Sequence, residues 1–467
     1  MIVLKNACLT LIGGYSMNIQ RKAYEKLLQW KNSADSSKAI LIKGARRVGK
    51  SYLAEVFAKK EYQSYILIDF ASPLKGTKAV FERYGNRQNL TEFFNQLSVL
   101  YGVPLYERKS VLIFDEIQKY PKARELIKYL VADGRYDFIE TGSLISIHKN
   151  VKDIVIPSEE EELLLHPLDF EEFLSALNDT VTVPFLREAY QSNRSLGNLL
   201  KPMMDKLRTY MLVGGMPQAV VEYATSGNID RVEQIKRGIV KLYREDIAKY
   251  AEGYVAEAKA IFDAIPSQLA HHDKKIKYSS LGEGDRFSSY KDAIRWIDDS
   301  MVGTLCAGTD QPDLFGEFTV QPSKLKCYMG DTGLLLTMAA GTNYLKSDLY
   351  KAFMKGSMSV NQGMMTENLI AQAITSCDRP LHFYEKIVKK DEGSKKYEVD
   401  FLIVINGKVI PLEVKSGQAK KHASLDYYCQ TYKKQVGKGV ILTKGDLRIT
   451  DDYKYIPLPM AWILFEN

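Results

Sequence analysis

Long apolar stretches are missing from this chain: no run reaches 18 apolar residues, so no membrane-spanning helix is expected. Cysteine is scarce. The five, Cys8, Cys306, Cys327, Cys377 and Cys429, are scattered, odd in number and form no CxxC pair. That argues against a disulfide framework in a 467-residue chain and points to the reducing cytoplasm. The six histidines show no metal-ligand spacing. The one adjacent pair, His271 and His272, cannot share a helix face and reads as a solvated turn. Internal repeats and low-complexity tracts are also lacking.

What remains is ordinary globular composition, 45% hydrophobic and 26% charged, in a chain long enough for two or three domains. The net charge of +7 is unevenly placed. Between Arg379 and Lys438 there are 13 Lys and Arg against 7 Asp and Glu. A basic surface of this kind attracts polyanions such as nucleic acid, although a solvated lysine-rich face has the same composition. At the other end, Met1–Ser16 is mildly apolar but too short in its apolar part for a signal peptide. Asn18–Lys31 reads as an amphipathic helix, so Met17 is the expected start and residues 1–17 an extension outside the fold.

Apolar runs at Ala39–Ile42, Tyr65–Phe70, Val111–Phe114 and Phe138–Thr141 alternate with helical patterns, which predicts a parallel α/β sheet over residues 18–180. Glu162–Leu168 offers a fifth strand, and Asp169–Ala176 returns to helix. Residues 181–250 have a helical period interrupted at Gly214–Pro217 and read as a lid-like region. In residues 251–345, helical stretches at Glu257–Leu269 and Tyr290–Met301 precede short strands near Leu305 and at Leu325–Met329. That order suggests a winged-helix-like unit, which can bind DNA or serve only as packing. Residues 346–467 form a separate α/β domain, with a helix at Met365–Ser376, a hairpin of Val399–Ile405 and Val409–Val414, a helix at Leu425–Lys434 and a strand at Gly439–Thr443.

The most specific motif is Gly44-Ala45-Arg46-Arg47-Val48-Gly49-Lys50-Ser51, which fits GxxxxGK[ST] between a strand and a helix. Backbone N–H groups of such a loop curl around phosphates, and the helix N-terminus adds its positive dipole end. Lys50 is expected to reach the β- and γ-phosphates of ATP, and Ser51 to ligate Mg2+. Val111–Phe114 is a buried strand ending in Asp115 and Glu116. Asp115 is placed to hold magnesium, and Glu116 to orient and deprotonate the attacking water. Thr141 or Ser143, at the end of the next strand, is a candidate sensor of the γ-phosphate. Arg46 and Arg47 could meet phosphate or a neighbouring subunit, or stay exposed with a structural role.

Near the C-terminus, Asp400 lies on the first strand of the hairpin, and Glu413 and Lys415 share one face of the second. Asp and Glu oxygens suit magnesium, and a lysine beside them can stabilise charge on a phosphate undergoing hydrolysis. Glu367, on the preceding helix, is a further candidate ligand; Gln430 is a weaker one. The same residues could instead form a structural salt bridge.

These segments together resemble a widespread prokaryotic group of AAA-type ATPases. The resemblance rests on GARRVGKS, VLIFDEIQ, ETGS, LHPLDFEEFL (Leu165–Leu174), VGGMPQAV (Val213–Val220), YREDIAKY (Tyr243–Tyr250), CYMGDTGLL (Cys327–Leu335), VDFLIV (Val399–Val404) and PLEVKSG (Pro411–Gly417), in that order. It implies an N-terminal AAA-type P-loop ATPase, a helical and winged-helix-like middle, and a C-terminal domain that looks like the PD-(D/E)xK nuclease fold. Asp400, Glu413 and Lys415 match that fold's D-x12-ExK arrangement. Ile265–Thr319, with its acidic turn, departs from the group's pattern. The expectation is therefore an ATPase that drives DNA binding or processing; the alternative is a nucleotide-dependent switch whose non-cutting nuclease-like domain binds a protein partner.

Overall fold

A computed structural model describes residues 19–33, 38–85, 88–143, 157–271, 273–282, 286–312, 318–341, 351, 353–355, 362–390, 393–415 and 422–466. The extension expected at residues 1–17 and the acidic turn at 283–285 lie outside the described residues. No described helix is long and apolar enough to cross a membrane. Cys306, Cys327, Cys377 and Cys429 are free thiols.

The first sheet has five parallel strands: β1 (Ala39–Lys43), β2 (Ser64–Asp69), β3 (Ser110–Asp115), β4 (Asp137–Gly142) and β5 (Glu160–Leu164), in the spatial order β2-β3-β4-β1-β5. Helices cover both faces, so β1 and β3 are buried along their whole length and carry near-continuous apolar side chains. Aromatic rings fill one face, where Phe81 meets Phe93 edge-on at 5.0 Å and Phe70 stacks on Tyr120 at 5.5 Å. The fifth strand begins two residues before its expected position. Its partner is β1, with Lys43 opposite Leu164, so the chain is free at Leu165 to turn over the loop that follows β1.

The middle of the chain is helical: Thr182–Gln191, Leu200–Val213, Pro217–Ser226, Ile229–Tyr250, Val255–Ala270 and Phe287–Asp299. The two helices and hairpin read as winged-helix-like do occur in that order, but the hairpin has another partner. Its strands, β6 (Gly303–Pro312) and β7 (Phe318–Met329), are 10 and 12 residues long. β6 pairs in parallel with β8 (Leu381–Lys390), making the hairpin one edge of the C-terminal sheet.

That second sheet has eight strands in the order β12-β13-β11-β10-β9-β8-β6-β7. Its centre is the expected hairpin, β9 (Gly393–Ile405) and β10 (Lys408–Lys415), turned at Asn406 and Gly407, which both have positive φ as a tight hairpin turn requires. β11 (Gly439–Thr443), β12 (Arg448–Ile449) and β13 (Tyr453–Pro457) complete it.

A buried polar seam joins the two halves. Asp331, 1% exposed, caps the helix Thr332–Ala340 by accepting from the Leu334 N–H at 2.9 Å, and also accepts from the Gly215 N–H at 2.6 Å. The two backbones touch here: a Cβ on Gly333 would lie 2.6 Å from the Gly214 Cα, which only glycine tolerates. Gln372, on the helix Gln362–Thr375, accepts from the Thr332 N–H at 2.9 Å and donates to the Tyr210 hydroxyl at 2.9 Å. Tyr210 in turn donates to the Leu168 carbonyl at 2.7 Å. Replacing Asp331 by Ala removes a helix cap and strands the buried Gly215 N–H, so it should cost about 2–4 kcal/mol in urea unfolding. Asp331→Asn keeps one acceptor and should lose less; equal losses would place the effect elsewhere.

Candidate functional site

The loop Gly44–Ser51 leaves β1 and enters the helix Lys50–Glu61, as strand and helix periodicity predict. Gly44 lies against the turn after β5, where an added Cβ would sit 2.3 Å from the Leu165 carbonyl oxygen. Gly49 has φ of 96°, and Val48 is fully buried. Lys50 is buried and donates to the Gly44 and Ala45 carbonyl oxygens, each at 3.0 Å. Burial lowers its ammonium's proton affinity, while Glu116 and Asp115 oppose that shift.

The acids at the tip of β3 face this lysine. Ser51 donates to the Asp115 carboxylate at 2.7 Å, and the Thr141 hydroxyl donates to the same oxygen. Burial pushes the Asp115 carboxyl up, and those two hydroxyls pull it back. The Glu116 N–H donates to Thr141 at 3.3 Å, and the Glu116 carboxylate accepts from Gln118. Glu116 has a positive φ of 52°, a conformation rare outside glycine and asparagine that turns the chain sharply off the strand. The structure thus brings Lys50, Ser51, Asp115, Glu116 and Thr141 together. Of the two sensor candidates, Thr141 belongs to this network; Ser143 lies one residue beyond β4, half-buried.

Arg46 and Arg47 part company. Arg46 pairs with Asp246 at 2.7 Å, and its carbonyl accepts from the Tyr243 hydroxyl at 3.0 Å; both partners lie on the helix Ile229–Tyr250. Arg47 borders a cavity of about 390 Å³ with Gln218, Ile235, Ile239 and Leu242. The end of the same helix reaches the turn that follows the acids, where Lys119 donates to the Tyr250 hydroxyl at 2.8 Å. One contact had no signal in the sequence. Arg21 is buried ahead of the first helix, donating to the Val48 carbonyl at 3.0 Å, to Glu172 at 3.1 Å and to the His166 carbonyl at 2.6 Å. Asp246 and Tyr243 were legible only as part of YREDIAKY.

The second constellation lies on β9, β10 and the helix Gln362–Thr375. Asp400 and Glu413 come next in register after the paired Phe401 and Leu412, and the Val414 N–H donates to Asp400 at 2.7 Å. Lys415 donates to Glu413. Burial, then Glu413 and Glu367, push the Asp400 carboxyl up to about 8, and burial also raises Glu413. Glu367 joins the cluster but is already engaged: Lys274 and the Tyr328 hydroxyl donate to it, and Lys326 lies 3.6 Å away. Burial would raise Glu367, but Lys326 and Lys274 outweigh it and hold the carboxyl below its usual range. Lys326, fully buried on β7, also sits 2.9 Å from Glu398. Among the described residues, the carboxylates whose oxygens converge within 4.8 Å are Asp273, Glu385 and Glu398, not Glu367, Asp400 and Glu413. Gln430 lies on the helix Ala423–Thr431 and has no described part in the cluster. The lysines were the missed residues. Lys326 was signalled only by its place between apolar neighbours in β7; Lys274 gave no signal.

Three segments match known families. Residues 36–174 match the family described as an AAA domain, residues 204–345 a domain of unknown function (DUF8612), and residues 362–461 another (DUF4143). No curated protein matches the chain. Similar solved structures include Drosophila ORC bound to DNA, at 14% identity and TM-score 0.27 over 71% of this chain and 94% of that one. Cdc6p from Pyrobaculum aerophilum matches at 10% and 0.26 over 74% and 97%, and protein VC1899 from Vibrio cholerae at 9% and 0.19 over 91% and 96%. Scores this low carry no argument about function. The AAA-domain match and the assembled P-loop agree on one point: residues 36–174 form an ATP-binding domain of AAA type.

Proposed function

We propose that the chain hydrolyses ATP with magnesium at its P-loop and uses the cycle to change how its C-terminal domain engages DNA. The observation that carries the ATPase reading is the buried network of Ser51, Asp115 and Thr141 opposite Lys50. Ser51 and Asp115 supply the hard oxygen donors that magnesium prefers. Bound there with ATP, the ion would neutralise charge on the β- and γ-phosphates. Lys50 would exchange its two carbonyl partners for phosphate oxygens. Glu116 would accept a proton from the attacking water. Arg46 would feel the nucleotide directly, and through Asp246 so would the helix Ile229–Tyr250.

The DNA part is supported by the basic surplus between Arg379 and Lys438 and by the D-x12-ExK pattern of Asp400, Glu413 and Lys415. The lysines held against Glu367 favour the alternative in one respect. A pocket whose carboxylates already face ammonium groups need not cut, so a nucleotide-dependent switch with a non-cutting domain fits it as well.

Glu116→Gln should retain ATP binding and lower turnover by on the order of 100-fold or more. Lys50→Ala should weaken ATP binding by roughly tenfold to a hundredfold, since a charge-assisted contact to phosphate is lost. Fluorescent-nucleotide titration and phosphate release check both; equal turnover by Glu116→Gln and the wild type would remove Glu116 as the base. If DNA is the ligand, duplex, single-stranded or branched DNA should raise the ATPase rate, and added salt should weaken that response steeply. A rate indifferent to all three forms would favour the protein-partner reading.

A further inference from the structure

The cluster around Glu367 contains a cation that comes from elsewhere in the chain. Lys274 lies in Asp273–Ile276, after the helix Val255–Ala270, within the segment matched to one domain family. The carboxylates it meets lie in the segment matched to another. Asp273–Ile276 runs along β7 as a short strap: the Ile276 N–H donates to the Leu325 carbonyl at 2.9 Å, and Lys275 bridges to Lys326 in antiparallel register. Each of its first three residues is tied to the C-terminal sheet or to the helix Gln362–Thr375 beside it. Asp273 pairs with Lys396 at 2.8 Å, Lys274 with Glu367, and Lys275 with Glu385 at 2.7 Å. Lys274 adopts a positive φ of 50°, which costs a side-chain-bearing residue energy; here that conformation accompanies an ammonium set against Glu367.

The pocket it enters has an acceptor to spare. Glu413 is 9% exposed, and while one oxygen accepts from Lys415, the other has no hydrogen-bond partner among the described residues. Asp400 is next to it across the hairpin. Buried carboxylates require a compensating cation or hydrogen-bond donors. We propose that the Lys274 ammonium occupies the place of a divalent cation among Glu367, Asp400 and Glu413, so that the strap and the metal compete for one pocket. This rests on reading Asp400, Glu413 and Glu367 as potential metal ligands. It places control of that site in the segment joining it to the ATPase helices, and it accounts for ligand oxygens that do not converge while Lys274 holds Glu367.

The test uses the full chain without nucleotide and Mn2+ as the probe, titrated by calorimetry and by electron paramagnetic resonance. Lys274→Met should gain one Mn2+ site per chain that binds at least about tenfold more tightly than any in the wild type. Adding Asp400→Asn to that variant should abolish the gain. Lys274→Gln serves as a second variant, and unchanged ATP turnover in both shows that they fold. If wild type and variants bind Mn2+ equally and Asp400→Asn removes that binding, competition is overturned while the metal reading stands. If neither folded variant binds Mn2+, both fall. A gain that survives Asp400→Asn lies in another site and overturns the proposal.

Discussion

The Asp331 carboxylate is the point on which the arrangement of the two sheets depends. It is the cap of one helix and the acceptor for a turn of another segment, with both donors backbone N–H groups. Burial raises its carboxyl, and the N–H groups of Gly215 and Leu334 pull it back, so the charge is balanced by dipoles fixed in the fold. Around it the chain must come within van der Waals contact of itself, which explains Gly214 and Gly333 side by side. Lys236 closes the same region: it is buried, donates to the Leu212 carbonyl at 2.7 Å and pairs with Glu233 at 3.2 Å. Buried polar groups with every partner in place specify a single arrangement, because a shifted one would leave several unsatisfied at once.

The nucleotide loop is placed by this seam at short range. Leu168, whose carbonyl accepts from Tyr210, also donates its N–H to Gly215 at 2.7 Å, and it follows closely on the Leu165 turn that packs over Gly44. From the other side, Arg21 holds the Val48 carbonyl and Glu172 together, and Glu172 completes a capping box with Asp169. The loop is therefore clamped by three elements distant in sequence. The helix Ile229–Tyr250 adds a fourth, touching Arg46 near its end and the Asp331 seam through Lys236 near its middle. A change at the phosphates has a short covalent and packed route to the strap that follows the next helix.

How much of this could be read in the residues follows from which forces are local. β1 and β3 were legible because a strand buried on both faces is apolar along nearly all its length, and the P-loop because its chemistry needs fixed residue types at fixed spacing. The start of β5 was not, since Glu160 and Glu161 fell outside the strand expected from Glu162; Glu160 is accommodated by a bidentate pair with the buried Arg124 at 2.6 and 2.8 Å. β8 was missed for a similar reason, its charges masking the pattern, and its partners lie far away in sequence. The wing-like hairpin was visible as two strands, but which sheet it joins is decided by pairing with β8. At the C-terminal site, the sequence showed Asp400, Glu413, Lys415 and Glu367 but could not show Lys274 and Lys326 facing them. Ion pairs spanning Lys274 to Glu367 leave no periodicity.

Those lysines bear on why so many acids can lie in one pocket. Glu367, Glu398, Asp400 and Glu413 lie with Lys274, Lys326, Lys396 and Lys415 in a largely buried pocket. Burying ions costs several kcal/mol each even after relaxation, and replacing a buried ionic cluster by apolar side chains of similar volume is often neutral or stabilising by about 1–4 kcal/mol. Stability alone thus gives no reason to keep four acids beneath β7. Their neighbours Leu402, Ile403 and Leu412 on β9 and β10 are buried apolar residues. Positive charge is also supplied by four separate elements: the strap, β7, β9 and β10. Without Lys274, three lysines would face the four acids; with it the count is four against four once Asp400 is ionised. A cluster that is costly to bury, and whose balance depends on a residue from outside the domain, has the properties of a site in which one cation stands in for another.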